Sequence, residues 1–393
     1  MLDFEFYTPT KVVFGKESVA QTGKLACEFG AKKVLIHYGG GSVIRSGLLD
    51  RVKGSLEASG ISYVTLGGVK PNPRLSMVYE GIELCRREGV DLILAVGGGS
   101  VIDSSKAIGY GLANDCDVWD LFEGKQAPKA CAPIAAVLTI AAAGSEMSDS
   151  CVITKEEGGL KRAVGSDYCK CKFAVMDPTL MYTLPEYQTM SGATDIMMHT
   201  MERFFTTEDG MYLTDSIAEG LLRTVRDCMR ILKEDPENYE ARANVMWASS
   251  LSHNGLTGCG GVGRGDWATH QLEHELSGMF DVAHGAGLAA VWSSWARYVM
   301  PTKPERFAVF AHNIFAIPDS GDAAADGEAG IRAFEDFMHE VGMPTRVHEM
   351  GIELTDEQIK ELTVKCTFFG KRCIGRFRTL GAEDIETIYK MAR

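Results

Sequence analysis

An apolar run, Asp91-Leu92-Ile93-Leu94-Ala95-Val96, passes without a break into Gly97-Gly98-Gly99-Ser100 and then into a helical pattern containing Asp103 and Lys106. Few arrangements constrain a fold more. A buried strand that turns on glycine directly into a helix belongs to a parallel sheet, because parallel strands need a crossover and the crossover is usually helical. The glycines also let the backbone approach a phosphate, and the helix N-terminus supplies N–H donors and a favourable dipole. A pyrophosphate is the natural guest. The alternative is a tight turn with no ligand.

The same rhythm recurs through the first half of the chain. Lys33-Val34-Leu35-Ile36-His37-Tyr38 is a strand candidate ending in Gly39-Gly40-Gly41-Ser42, and a helical stretch over 44–59 leads to a further strand over 62–66. More strands are expected over 134–138 and 173–176. After Pro178 and Pro185 the pattern becomes helical, over 187–206, 212–234, 239–254, 266–280 and 284–298. Residues 319–330 are small and acidic and read as an exposed loop. A helix over 328–341 then stops at Gly342-Met343-Pro344, an ordinary exit signal. The expectation is an α/β, doubly wound parallel-sheet (Rossmann-like) domain over 1–183 and an all-α domain over 184–393.

Composition excludes several classes of function. The chain has 40 basic and 53 acidic residues, a net charge of −13, which argues against nonspecific nucleic-acid binding. The start lacks the basic and apolar regions of a signal peptide, and no run approaches the ~20 apolar residues of a membrane helix. Eleven Cys, an odd number scattered over 393 residues, do not make a secreted disulfide scaffold. Cys169-x-Cys171 has no partner pair, so reduced thiols in a cytoplasmic protein are expected.

The glycine turns also bear on the kind of dinucleotide. No Asp or Glu occurs between Ile36 and Leu49. The carboxylate that commonly bonds an adenosine ribose 2′-OH is therefore missing, and Gly39, Gly40, Gly41, Ser42 and Arg45 suit a 2′-phosphate, favouring NADP over NAD. Thr139 and the run Gly144-Ser145-Glu146-Met147-Ser148 follow another strand, where hydroxyls serve either a cofactor or a helix cap.

Asp195-x-x-x-His199 and His270-x-x-x-His274 each place two side chains on one helix face, and His284 follows closely. These five residues include four of only nine His. One carboxylate with imidazoles suits Fe(II) or Zn(II) and matches Ca or Mg poorly. Five candidates exceed four ligand positions, which leaves one for another role.

These segments, with Trp267-Ala268-Thr269-His270-Gln271-Leu272-Glu273-His274-Glu275-Leu276 and Ala283-His284-Gly285, resemble the signature of the iron-containing (group III) alcohol dehydrogenases, in the branch of NADP-dependent butanol dehydrogenases and broad aldehyde reductases. Pro71-Asn72-Pro73, Gly97-Gly98-Gly99-Ser100-x-x-Asp103-x-x-Lys106 and Gly144-Ser145-Glu146 match in the same order, so the resemblance covers almost the whole chain. It implies Asp195, His199, His270 and His284 as metal ligands, and His274 as a group beside the substrate. It also implies cofactor contacts at Asn72, Gly97, Gly98, Gly99, Ser100, Asp103, Thr139 and Ser148, with Gly39, Gly40, Gly41 and Ser42 facing the adenosine ribose. Ala141-Ala142-Ala143 departs from the family pattern, which commonly places a Thr there.

The activity implied is hydride transfer between NADP(H) and a primary alcohol or aldehyde such as butanol or butanal, with the metal as Lewis acid. His274 has two readings, proton relay or simple packing. A homodimer acting on a small molecule is the family expectation. Rivals are a glycerol-type polyol dehydrogenase, a non-redox enzyme like dehydroquinate synthase, and an inactive binding protein. A dehydroquinate-type substrate needs several basic groups near the metal, where this sequence offers Arg203 and Arg264, and the complete ligand set speaks against an inactive protein.

Overall fold

The computed structural model describes all 393 residues. They form two compact units, one of residues 7–184 and one of residues 185–393 together with 1–6. The first six residues join the helical unit through the terminal amine, which donates to the Asp209 carbonyl at 2.7 Å, and through Leu2 N to Gly260 O at 2.9 Å. No helix is long and apolar enough to cross a membrane.

Residues 7–184 contain strands β1 (Lys11–Phe14), β2 (Lys33–Tyr38), β3 (Ser62–Leu66), β4 (Leu92–Gly97), β5 (Ile134–Leu138), β6 (Ser150–Lys155), β7 (Leu160–Gly165) and β8 (Phe173–Met176). Between them lie helices α1 (Thr22–Glu28), α2 (Ser42–Arg45), α3 (Leu48–Ala58), α4 (Leu75–Glu88), α5 (Gly99–Ala113) and α6 (Val118–Phe122). Six strands make one parallel sheet in the order β1-β8-β5-β4-β2-β3, and β6 and β7 pair separately as an antiparallel ribbon.

Alternation along the strands explains why both faces are covered. Val34, Ile36, Leu92, Leu94 and Val96 pack with Leu49, Val52 and Leu56 on one side. Leu35 and Ile93 pack with Val78, Ile82, Ala107 and Ile108 on the other. A parallel sheet buried on both faces reads as continuous apolar runs, as β4 does. From β2 the chain moves one way to β3 and then back past β2 to β4 and β5, so the strand order reverses between β2 and β4. Open α/β sheets bind ligands at the carboxyl ends of strands at such a reversal.

Two expectations need correction. The helix over 44–59 is two helices, α2 and α3, because Gly47 adopts a left-handed conformation at φ 71°. The acidic loop over 319–330 is mostly helix: it begins at Ala323, where the Asp322 side chain accepts from the backbone N–H groups of Ala324 and Ala325. An aspartate cap followed by three alanines is a strong helix start that the acidic composition obscured.

The helical unit comprises α7 (Glu186–Phe204), α8 (Tyr212–Glu234), α9 (Tyr239–His253), α10 (Ala268–Phe280), α11 (His284–Val299), α12 (Pro304–Phe315), α13 (Ala323–Glu340), α14 (Asp356–Cys366) and α15 (Ala382–Ala392). Its core is aromatic: Phe205 packs against Phe204, Trp292, Trp295, Phe307 and Phe310.

His37 ties the sheet to α5. Its ring is fully buried, with Nδ1 2.8 Å from Leu66 O and Nε2 2.8 Å from Ser104 Oγ. Burial pushes its pKa down to about 4, against the hydrogen bond to Leu66, which raises it. The folded pKa lies below the ordinary 6.5, so this group's stabilisation is complete above pH 6.5 and is lost as pH falls through about 4. The loss amounts to about 3 kcal/mol. His37→Gln is expected to flatten the fall in Tm between pH 6.5 and 4. A melting series with the wild-type slope retained in the variant would refute this.

Candidate metal centre

Asp195 and His199 lie one turn apart in the middle of α7, 3% and 2% exposed. Asp195 Oδ1 is 3.2 Å from His199 Nδ1, 3.8 Å from His270 Nε2 on α10, and 3.8 Å from His284 Nε2 at the start of α11. Three helices thus bring three imidazoles around Asp195 Oδ1, with the donor atoms of Asp195, His199 and His270 within 4.8 Å of one another. Asp195 Oδ1, His199 Nδ1 and His270 Nε2 are buried and have no hydrogen-bond partner. Orphaned buried polar atoms are costly, and three that converge on each other are explained by a cation between them. Donors about 2.0–2.2 Å from a tetrahedral ion sit about 3.3–3.6 Å apart, a range the observed separations bracket. The donor set fits Fe(II) or Zn(II).

Two buried carboxylates that sequence reasoning missed stand behind the imidazoles. Glu202 Oε1 lies 2.8 Å from His270 Nδ1 and accepts from the His270 backbone N–H at 2.9 Å. A carboxylate at Nδ1 places the proton there and leaves the Nε2 lone pair for a metal. Burial works against a charged His270, but the neighbouring carboxylates Asp195 and Glu202 prevail and raise its pKa to about 9. The spot therefore attracts positive charge. His199 is driven the other way, first by burial and then by neighbouring imidazoles, and stays a neutral donor. Glu273 Oε2 hydrogen-bonds His284 Nδ1. Both glutamates were discoverable, since Glu202 follows His199 and Glu273 follows His270 by three residues, on the same helix faces.

His253, at the end of α9, was also missed. Its ring stacks on His199 with centroids 3.9 Å apart, and nothing in its surrounding sequence marks it. Trp267 initiates α10 in a left-handed conformation, φ 64°, and its ring meets His199, His253 and His270 at 6.0, 5.5 and 5.1 Å. The Arg203 guanidinium lies 4.6 Å over the same indole. His274 is half-buried and stands apart from the Asp195 cluster, with its ring 5.8 Å from that of His284. Its donor atom groups with those of Glu273 and His284 within 4.8 Å.

The α/β unit brings the glycine turns together at adjacent strand ends. Gly39, Gly40 and Gly41 follow β2, Gly97 ends β4, and Thr139 follows β5 with its N–H bonded to Gly97 O at 3.1 Å. A Cβ on Gly98 would lie 2.0 Å from Ile140 Cγ2, and one on Gly41 would lie 2.5 Å from Arg45 Nη1. Ser100 sits half-buried in the first turn of α5, and Asn72 is buried in a left-handed conformation at φ 52°. At Gly98 and Gly41 a side chain would therefore collide with Ile140 and Arg45, which is why glycine stands at both turns.

Two of the residues expected to contact the cofactor also make hydrogen bonds within the α/β unit. The Ser148 hydroxyl is 1% exposed and accepts from Lys106 Nζ at 3.2 Å. The Asp103 carboxylate accepts from Ser145 Oγ and from Val152 N at 2.9 Å. Both side chains brace the turn, Ser148 buried and Asp103 partly exposed. Cys169 and Cys171 are buried free thiols.

A parallel-sheet α/β unit with glycine turns at its strand ends and a helical unit that gathers Asp195, His199, His270 and His284 fit the architecture of a metal-containing, nicotinamide-type oxidoreductase. The iron-containing alcohol dehydrogenase family model matches residues 9–178, and the C-terminal model of the Fe-containing alcohol dehydrogenase family matches residues 189–393. The chain belongs to the iron-containing alcohol dehydrogenase family. It is 39% identical to NADH-dependent butanol dehydrogenase A of Clostridium acetobutylicum over 99% of each chain, and 35% identical to the NADPH-dependent aldehyde reductase YqhD of Escherichia coli over all of both. The crystal structure of NADH-dependent butanol dehydrogenase A from Thermotoga maritima superposes with a TM-score of 0.96 at 39% identity, covering 100% of this chain and 99% of that one.

Proposed function

We propose that the protein is an alcohol dehydrogenase and aldehyde reductase that moves a hydride between NAD(P)(H) and a primary alcohol or aldehyde of the butanol and butanal class. The observation that carries this reading is the convergence of Asp195 Oδ1, His199 Nδ1 and His270 Nε2 as orphaned buried atoms, with His284 completing the set. When bound, the metal supplies Lewis acidity to the substrate oxygen and the nicotinamide carries the hydride.

The chain's own residues do the rest. Asp195, His199, His270 and His284 hold the ion, and their helices fix its place. Glu202 keeps the His270 proton on Nδ1. His274, half-buried beside His284, exchanges the hydroxyl proton with solvent through its imidazole. The Gly98 turn and the N-terminus of α5 receive the pyrophosphate, with Gly39, Gly40, Gly41 and Ser42 toward the adenosine ribose.

Arg45 and the absence of a carboxylate after β2 support NADPH as the preferred cofactor, although the butanol dehydrogenases among the relatives are named for NADH. The test is a panel of aldehydes and polyols with both reduced cofactors on metal-analysed protein. Butanal reduction with a higher kcat/KM for NADPH is expected, and Arg45→Ala should lower the NADPH to NADH ratio about tenfold, as losing one charged phosphate contact implies. A wild-type preference for NADH sinks the cofactor assignment. Absence of aldehyde turnover in metal-loaded protein sinks the activity.

A further inference from the structure

We propose that Glu273 is a positioning residue for the metal centre: it fixes the His284 imidazole as a metal ligand and strengthens it as a donor. The inference rests on the reading of Asp195, His199, His270 and His284 as ligands.

Among those four, His284 is held least by packing. Its side chain is 26% exposed, against 6% or less for the other three. It is also the first residue of α11, whose N-cap, Ala283, offers no side-chain bond. An imidazole at an open helix start keeps rotamer freedom that ligation must remove, so something else has to orient it. Glu273 is placed to do so. Its side chain is fully buried on α10, Oε2 bonds His284 Nδ1, and Oε1 accepts from Ser277 Oγ one turn further along the same helix. With Nδ1 committed to the carboxylate, Nε2 is the nitrogen left facing Asp195, 3.8 Å from Oδ1.

The facing helix is shaped for this carboxylate. Gly287 lies one turn into α11, and a Cβ there would come 2.9 Å from Glu273 Cγ and 3.0 Å from Oε1. Any side chain at 287 would press Glu273 away from His284. A buried carboxylate is costly without compensation. Here its charge polarises the imidazole toward imidazolate character, which raises the basicity of Nε2 and tightens its grip on a divalent ion.

The test compares metal-free wild type, Glu273→Gln and Gly287→Ala, with Co(II) as the probe. Three quantities are read: Co(II) affinity by chelator competition, the visible Co(II) spectrum, and the Tm of the metal-free forms. Glu273→Gln keeps the shape and removes the charge. It is expected to bind Co(II) about 10–100-fold more weakly, with a shifted visible band and an undiminished metal-free Tm. Gly287→Ala keeps the charge and displaces the carboxylate, and should weaken Co(II) in the same direction. Affinity within twofold of wild type and an unchanged spectrum in Glu273→Gln would overturn the proposal, leaving Glu273 a packing residue. Should that variant fail to fold, the same thresholds applied to Gly287→Ala decide. Wild type that takes up no Co(II) in a single defined site would overturn the ligand assignment itself, a result distinct from normal wild-type binding with an indifferent Glu273.

Discussion

His270→Ala is expected to empty the metal centre and lower aldehyde reduction at least about a thousand-fold, the scale of a Lewis acid worth several kcal/mol. The size of the effect follows from the position of the residue in the site. His270 is 5% exposed, its Nε2 faces Asp195 Oδ1, and its Nδ1 is 2.8 Å from Glu202. Alanine removes one donor of four and also strips the imidazole from Glu202, leaving that carboxylate buried with only the backbone N–H of residue 270. Asp266 stands beside it. The Asp266 carboxyl is itself pushed up to about 7 by burial and by Glu202, against three backbone N–H bonds that hold it down. The remaining donors make a weaker site. The measurements are metal content after dialysis, butanal-dependent oxidation of NADPH, and NADPH binding by fluorescence. Cofactor binding should survive, because the glycine turns lie in residues 7–184. Retained metal with full turnover would sink the ligand assignment.

Much of the sheet was legible because buried parallel strands are written as largely apolar runs, and β2, β5 and β8 begin and end where those runs do. The edge strand β1 was not, since four residues at an edge carry too little pattern to stand out. The β6–β7 ribbon carried a usable Gly158-Gly159 signal, but Lys161 and Arg162 are both buried, which breaks the polar–apolar alternation a hairpin normally shows. Spacing exposed the metal ligands, because two i, i+4 pairs on predicted helices have few innocent explanations. It did not expose the order of the shells. His274 stands at the same spacing from His270 as His199 from Asp195, and only the crossing of α10 with α11 sets it apart from the cluster. Ser148 and Asp103 follow the pattern of a cofactor site in sequence, and their side chains also hydrogen-bond within the unit, Ser148 buried and Asp103 partly exposed. One-dimensional spacing cannot distinguish a hydroxyl that lines a cradle from one that braces it.

Gly98→Ala is expected to raise the KM for the nicotinamide cofactor about tenfold or more while leaving metal content unchanged. The reason is space rather than backbone conformation, since Gly98 has φ −94° and ψ −165°, which alanine also adopts. Its Cβ would sit 2.0 Å from Ile140 Cγ2, however, and a β-branched side chain has few rotamers through which to retreat. Either Ile140 or the turn must move, at about 1–3 kcal/mol for an overpacked contact. Moving the turn carries α5 with it, because Val101 N and Ile102 N both bond to Gly98 O. The first turn of that helix is where phosphate oxygens find their donors, so displacement there falls on cofactor affinity. The double variant Gly98→Ala/Ile140→Ala separates crowding from a need for glycine itself. Removing Cγ2 should restore much of the lost affinity if the clash is the cause. A cofactor KM unchanged in the single variant would refute the placement of the pyrophosphate at this turn, and a defect that persists in the double variant would locate the requirement for glycine in backbone approach to the ligand instead.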